Sequence, residues 1–124
     1  MERSGDKLKA ILVGCGGMGR NQARILASLD EFELTAVCDI FADRANAVAA
    51  ELRVKTFSDL GEALRSENPE VVAVCSANAW HAEQTVQAAE FGVRGIYCEK
   101  PMAVHLRDAR AMVEVCEATD TVLV

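Results

Sequence analysis

Aromatic residues are scarce in this chain, 5% of 124 residues, so its core must be built from valine, isoleucine, leucine and alanine rather than around rings. No apolar run approaches the roughly 18 to 20 residues that span a bilayer. The opening stretch, Met1 to Lys7, is a polar tail without a signal-peptide core, which points to a cytoplasmic protein with no membrane partner. A clustered excess of basic residues is missing too. Thirteen Lys and Arg are scattered among nineteen Asp and Glu, for a formal charge of −6, which argues against a nucleic-acid groove. The five cysteines show no CxxC pair and no finger-like spacing, and an odd number suits a reducing compartment, so no disulfide is expected. Solenoid repeats, low-complexity tracts and linkers are likewise absent.

What is present is enough apolar material, 51%, for one domain over residues 8–124. It comes as short β-rich runs alternating with helical patterns. Lys9 to Val13 reads as a first strand buried on both faces. Met18, Gln22, Ile25, Leu26 and Leu29 then recur at helical spacing and predict a stripe against a sheet. Leu34 to Cys38 is a second strand, followed by a helix with Ala45, Val48, Ala49 and Leu52 inward. Val54 to Phe57 is a third strand, and Ser58 is the expected N-cap of a brief helix through Arg65 that ends before Asn68-Pro69. Val71 to Cys75 has the strongest β character and should be central. Asn78 is the expected cap of the next helix, which turns Val86, Ala89 and Thr85 inward and stops at Gly92. Gly95 to Cys98 is a fifth strand, Leu106, Ala109, Met112, Val113 and Cys116 mark a fifth helix, and Thr121 to Val124 begins a sixth strand. The alternation predicts an α/β fold, a doubly wound parallel Rossmann sheet of order 3-2-1-4-5-6.

The chain is organised around Gly14-Cys15-Gly16-Gly17-Met18-Gly19. The Gly-x-Gly-x-x-Gly spacing gains its force from its place between a strand and a helix. Gly14 frees the backbone for a sharp turn, Gly16 leaves the main chain open to a ligand, and Gly19 lets the helix lie close to the strand. A helix start offers unpaired N–H groups and a partial positive charge, so a diphosphate can bind there without a lysine, and the loop contains none. Twenty residues past Gly19 the second strand ends in Asp39. A carboxylate there accepts hydrogen bonds from the adenosine ribose and repels the 2′-phosphate of NADP, so NAD is expected over NADP. Arg44, a few residues on, could in principle pair with that phosphate, but on the second helix it is read as a surface residue. Cys15, Cys38, Cys75 and Cys98 would gather at the same sheet edge. A metal or redox site is conceivable there, but small buried apolar residues are the preferred reading, and no metal is assigned.

Two later stretches add to this. The fourth strand leads into Ser76-Ala77-Asn78-Ala79-Trp80-His81, and the fifth into Glu99-Lys100-Pro101. With the glycine turn and Asp39 in this order, the chain resembles the N-terminal domain of the Gfo/Idh/MocA oxidoreductases over essentially its whole length. The resemblance implies NAD(P)-dependent hydride transfer at a hydroxyl carbon of a sugar, cyclitol or related compound. Family members commonly have Thr-Pro-Asn-x-x-His after the fourth strand; Asn78 and His81 are kept here, with Ser76 and Ala77 in place of Thr and Pro. By this similarity Gly14, Gly16, Gly17, Met18, Gly19, Asp39, Ser76, Asn78, His81 and Glu99 contact the cofactor. Lys100 is the catalytic residue, partly buried near the nicotinamide and aimed there by a cis bond to Pro101. The resemblance also implies a second, substrate-binding domain beyond this sequence, so that the chain alone should bind NAD with little turnover, and a homo-oligomeric enzyme. The sixth strand would leave an apolar edge open to pairing between chains. A sensor or scaffold that binds NAD(H) without catalysis is the alternative, and Lys100 separates the two, because a sensor has no use for it.

Overall fold

The structure is a computed structural model that describes residues 6–124. The first five residues of the polar tail lie outside the described residues. Six parallel strands form one sheet of order β3-β2-β1-β4-β5-β6, as expected. The strands are β1 (Leu8–Val13), β2 (Phe32–Cys38), β3 (Lys55–Phe57), β4 (Val71–Val74), β5 (Gly95–Cys98) and β6 (Val122–Leu123). The helices are α1 (Gly17–Ser28), α2 (Ala42–Leu52), α3 (Leu60–Glu67), α4 (His81–Phe91) and α5 (Leu106–Ala118).

Both faces of the sheet are covered, which is why the central strands read as unbroken apolar runs. Alternate residues divide between two cores. Ile11, Val13, Val72, Val74 and Ile96 face Leu60, Ala63 and Leu64 of α3, Ala88 and Ala89 of α4, and Cys116 of α5. Leu12, Val37 and Ala73 face Ala23 of α1 and Ala45 and Val48 of α2.

Several expectations need correction. Helix α1 turns its small face inward: Gly19 and Ala23 are buried, whereas Met18, Ile25 and Leu29 of the expected stripe are 52%, 49% and 39% exposed. Two small residues one turn apart let the helix axis come so near the sheet that the larger side chains are displaced sideways. In α5, Met112 and Cys116 are buried but Leu106 and Val113 are exposed. In α4, His81, Thr85, Ala88 and Ala89 go inward, with Val86 only half-buried.

The caps differ as well. Asp59, not Ser58, caps α3, its carboxylate accepting from the Glu62 N–H at 2.9 Å. A carboxylate also suits the positive end of the helix. Asn78 makes no side-chain cap; it opens a single 3-10 turn, Asn78–Trp80, that runs directly into α4. Strand β2 begins two residues earlier than expected, β3 one later, and β4 stops one residue before Cys75.

Candidate functional site

The glycine turn is held by backbone contact that no side chain allows. Gly14 has φ +97°, and a Cβ there would stand 2.4 Å from the Cys75 carbonyl carbon and the Ser76 nitrogen. The turn after β1 therefore lies directly on the loop after β4. A Cβ at Gly19 would stand 1.6 Å from the Gly14 oxygen, so the first turn of α1 rests on the same glycine. The first helical bond runs from the Arg20 N–H to the Gly16 oxygen at 2.8 Å, which leaves the Gly17, Met18 and Gly19 amides without a helical acceptor. No acidic side chain stands in this first turn. The positive end of α1 thus faces the cleft with no acid of its own first turn against it, as an anion site requires.

Asp39, at the end of β2, is buried beneath this turn at 7% exposure. Its Oδ2 accepts from the Cys15 N–H at 2.7 Å and its Oδ1 from the Phe41 N–H at 2.8 Å. A carboxylate has about four acceptor positions, so two remain for a ligand's hydroxyls. The sequence reading foresaw the acid but not this second duty, in which Asp39 fastens the glycine turn to the β2 end.

A cleft of about 660 Å³ opens over these groups. It brings together Gly14, Gly16, Gly17, Met18, Gly19, Asp39 and Ser76 of the predicted residues. At one end Ile40 and Phe41 are 72% and 55% exposed, and the Arg44 guanidinium lies 4.8 Å above the Phe41 ring. Arg44, exposed on α2 as expected, also lines the cleft. Phe41, Trp80 and Gln84, which also line it, escaped the sequence reading. A signal was there: two large apolar residues directly after Asp39 fit neither the strand nor the helix that follows.

Glu99, Lys100, Asn78 and His81 do not line this cleft; Glu99 and Lys100 follow β5 on the same sheet edge. Glu99 is fixed from two sides, Oε2 accepting from the Tyr97 hydroxyl at 2.9 Å and Oε1 from the Lys100 N–H at 3.1 Å. That hydrogen bond, with burial and the Glu99 charge, pushes the Tyr97 phenol up to about 12. Tyr97, the one tyrosine in the chain, was not foreseen. The Lys100–Pro101 peptide is cis, while the Lys100 side chain is exposed rather than partly buried. His81 has no exposed surface: Nδ1 lies 2.8 Å from the Pro101 oxygen and Nε2 2.8 Å from the Ser76 oxygen. Asn78 is exposed. The Ser76 hydroxyl is hydrogen-bonded to the Gln84 side chain.

The cysteines are all free. Burial above all, with nearby acidic charge, pushes the thiols of Cys15, Cys38 and Cys75 up to about 12. Such thiols carry almost no thiolate at neutral pH and behave as small apolar residues. Among the described residues no group of three or more His, Cys, Asp or Glu is placed to hold a metal ion, and no helix is long and apolar enough to cross a membrane.

Comparison with known proteins agrees with this geometry. The inositol 2-dehydrogenase of Salmonella paratyphi B is 34% identical over 110 residues, 86% of this chain and 32% of its own. The D-apiose dehydrogenase of Paraburkholderia graminis is 33% identical over 112 residues, 90% of this chain and 30% of its own. The chain therefore spans about a third of the length of these curated relatives. Among solved structures, the WlbA dehydrogenase of Bordetella pertussis, crystallised with NADH and UDP-GlcNAcA, superposes with a TM-score of 0.89 at 28% identity, covering 94% of this chain and 36% of that one. Residues 8–124 match the family model of the Gfo/Idh/MocA oxidoreductases, described as an oxidoreductase family with an NAD-binding Rossmann fold. With the glycine turn, the buried acid and the strand order all in that arrangement, the chain belongs to the Gfo/Idh/MocA oxidoreductase family, as its NAD-binding Rossmann domain.

Proposed function

We propose that this domain holds NAD with the pyrophosphate on the amides of the Gly16–Gly19 turn and the adenosine ribose on Asp39. Within a longer oxidoreductase it then serves hydride transfer at a hydroxyl carbon of a sugar, cyclitol or related compound. The observation that carries the reading is that the open helix start and Asp39 line one cleft and are joined by the Cys15 N–H. The residues fit the group. A Cβ at Gly16 would meet only Arg44 Nη1, at 3.9 Å, so the main chain there is open to a phosphate. Phe41 with Arg44 stacked on it offers a flat, cationic wall for an adenine ring.

NAD supplies the carbon that accepts the hydride. The chain's own part is to bind and orient: α1 stabilises the diphosphate, and Asp39 selects the unmodified ribose because a 2′-phosphate would meet a buried negative charge. Ser76 and Asn78 border the nicotinamide end. Glu99, fixed by Tyr97, holds the nicotinamide ribose, and Lys100 exchanges a proton with the reacting hydroxyl. Lys100 is the catalytic residue in this reading, and its exposure leaves it free to meet a substrate brought to the sheet edge.

Two measurements test this. Calorimetric titration of the chain should show NAD binding more tightly than NADP, and equal or tighter NADP binding overturns the role of Asp39. Lys100→Met in the whole oxidoreductase should abolish turnover while NAD affinity stays near wild type. Unchanged turnover would remove the catalytic assignment of Lys100.

A further inference from the structure

His81 is the first residue of α4, its ring is wholly buried, and it touches two strand-end turns at once. Nε2 stands 2.8 Å from the carbonyl of Ser76, in the loop after β4 that lines the cleft. Nδ1 stands 2.8 Å from the carbonyl of Pro101, the residue bonded to Lys100. Both neighbours are acceptors, and a neutral imidazole owns a single N–H, so it can satisfy one carbonyl while turning a lone pair on the other. In either tautomer the ring is wedged between the two carbonyls, and its complete burial fixes their separation. Three residues along the same helix, Gln84 takes the hydroxyl of the same Ser76. The first turn of α4 therefore grips the cleft loop by its carbonyl and its hydroxyl, and the Lys100–Pro101 turn by its carbonyl.

We propose that His81 is a positioning residue for Lys100: wedged between the Ser76 and Pro101 carbonyls, its ring ties the Lys100–Pro101 turn to the Ser76 loop and so sets the lysine relative to whatever the cleft holds. The inference rests on the reading of Lys100 as the catalytic residue. The effect of His81 is exerted through the placement of its two carbonyl partners. Lys100 gains a fixed origin for its side chain in this way, since its own N–H is held by Glu99 at 3.1 Å on the other side.

The test has two parts. In the wild-type chain, nitrogen-15 spectra of the histidine rings should show a His81 ring N–H that is hydrogen-bonded and slow to exchange; a ring proton that exchanges as fast as that of an exposed histidine overturns the bridge. This readout is independent of what Lys100 does. The second part compares His81→Gln, which keeps a donor, with His81→Phe, which keeps a ring and no donor. The Lys100 side-chain resonances should shift in both, more in the Phe variant. In the whole oxidoreductase His81→Gln should lower kcat roughly 10- to 100-fold, the scale of a misplaced reacting group, with the KM for NAD near wild type. Lys100 resonances and kcat unchanged in His81→Gln, or a change in KM alone, refute the positioning role. If His81→Phe does not fold, the Gln variant and the wild-type ring spectrum still decide. If Lys100→Met retains turnover, the catalytic reading of Lys100 fails, and with it the use of the bridge, even where the ring spectrum shows a protected proton.

Discussion

Replacing Asp39 with alanine separates the acid's two duties. Its oxygens accept from the Cys15 and Phe41 amides at 2.7 and 2.8 Å, and the residue is 7% exposed. Alanine leaves both amides without that acceptor. The Cys15 amide is buried, and leaving it unsatisfied costs about 1–3 kcal/mol, whereas the amide of the exposed Phe41 can turn to water, so the variant should lose about 1–3 kcal/mol. That is a sizeable part of the roughly 5–15 kcal/mol by which a domain is stable. At roughly 4 °C per kcal/mol for a chain of this size, Tm should fall by about 4–12 °C. Asp39→Asn keeps one carbonyl oxygen but turns an NH₂ toward the other amide, so it should fall between the two. Urea unfolding followed by far-UV circular dichroism gives the midpoint, and calorimetric titration with NAD reports the ligand side. Both variants should lose the preference for NAD over NADP. An Asp39→Ala protein that unfolds at the wild-type midpoint would show that these hydrogen bonds do not fasten the turn, and the argument from them would be wrong.

Three further outcomes are expected. Gly19→Ala drives a Cβ to 1.6 Å from the Gly14 oxygen, backbone that cannot swing away, so it should cost about 3 kcal/mol or more in urea unfolding, whereas Gly16→Ala, with only Arg44 Nη1 nearby at 3.9 Å, should unfold like wild type yet bind NAD more weakly in calorimetry. Stability should decline in alkali: Cys15, Cys38 and Cys75 keep their protons up to about 12 in the fold but release them from about 9.0 when unfolded, so stability present below 9 is lost as pH rises toward 12, by up to about 4 kcal/mol per pH unit for three thiols, and denaturation midpoints at pH 8, 9 and 10 will show whether it is. Asp59→Ala removes the α3 cap and should cost about 1 kcal/mol by the same unfolding measurement, where Ser58→Ala should cost almost nothing.

The strand order and the glycine–acid pairing were legible because each rests on local chemistry: continuous apolar runs for strands covered on both faces, and glycines at a strand-to-helix turn. The inward face of α1 was not legible. Helical periodicity marked Met18, Ile25 and Leu29, but close approach through Gly19 and Ala23 decided the matter, and that depends on the sheet opposite. Asp59 lost out to Ser58 because both residue types cap well and only the backbone tells which one stands at the helix entry. Arg44 and Phe41 were hidden for a related reason. Their stacking at one end of the cleft depends on how the β2–α2 turn bends. His81 and Pro101 are twenty residues apart, and nothing in the spacing of either says that a ring will lie between two carbonyls.

The contact of Gly14 with the main chain at Cys75 and Ser76 has a kinetic consequence. Two loops from opposite halves of the chain meet there without side chains between them, so the floor of the cleft is rigid before any ligand arrives. Binding then spends little free energy on ordering the receptor, and changes along that floor should register in how long a dinucleotide stays rather than in how fast it comes.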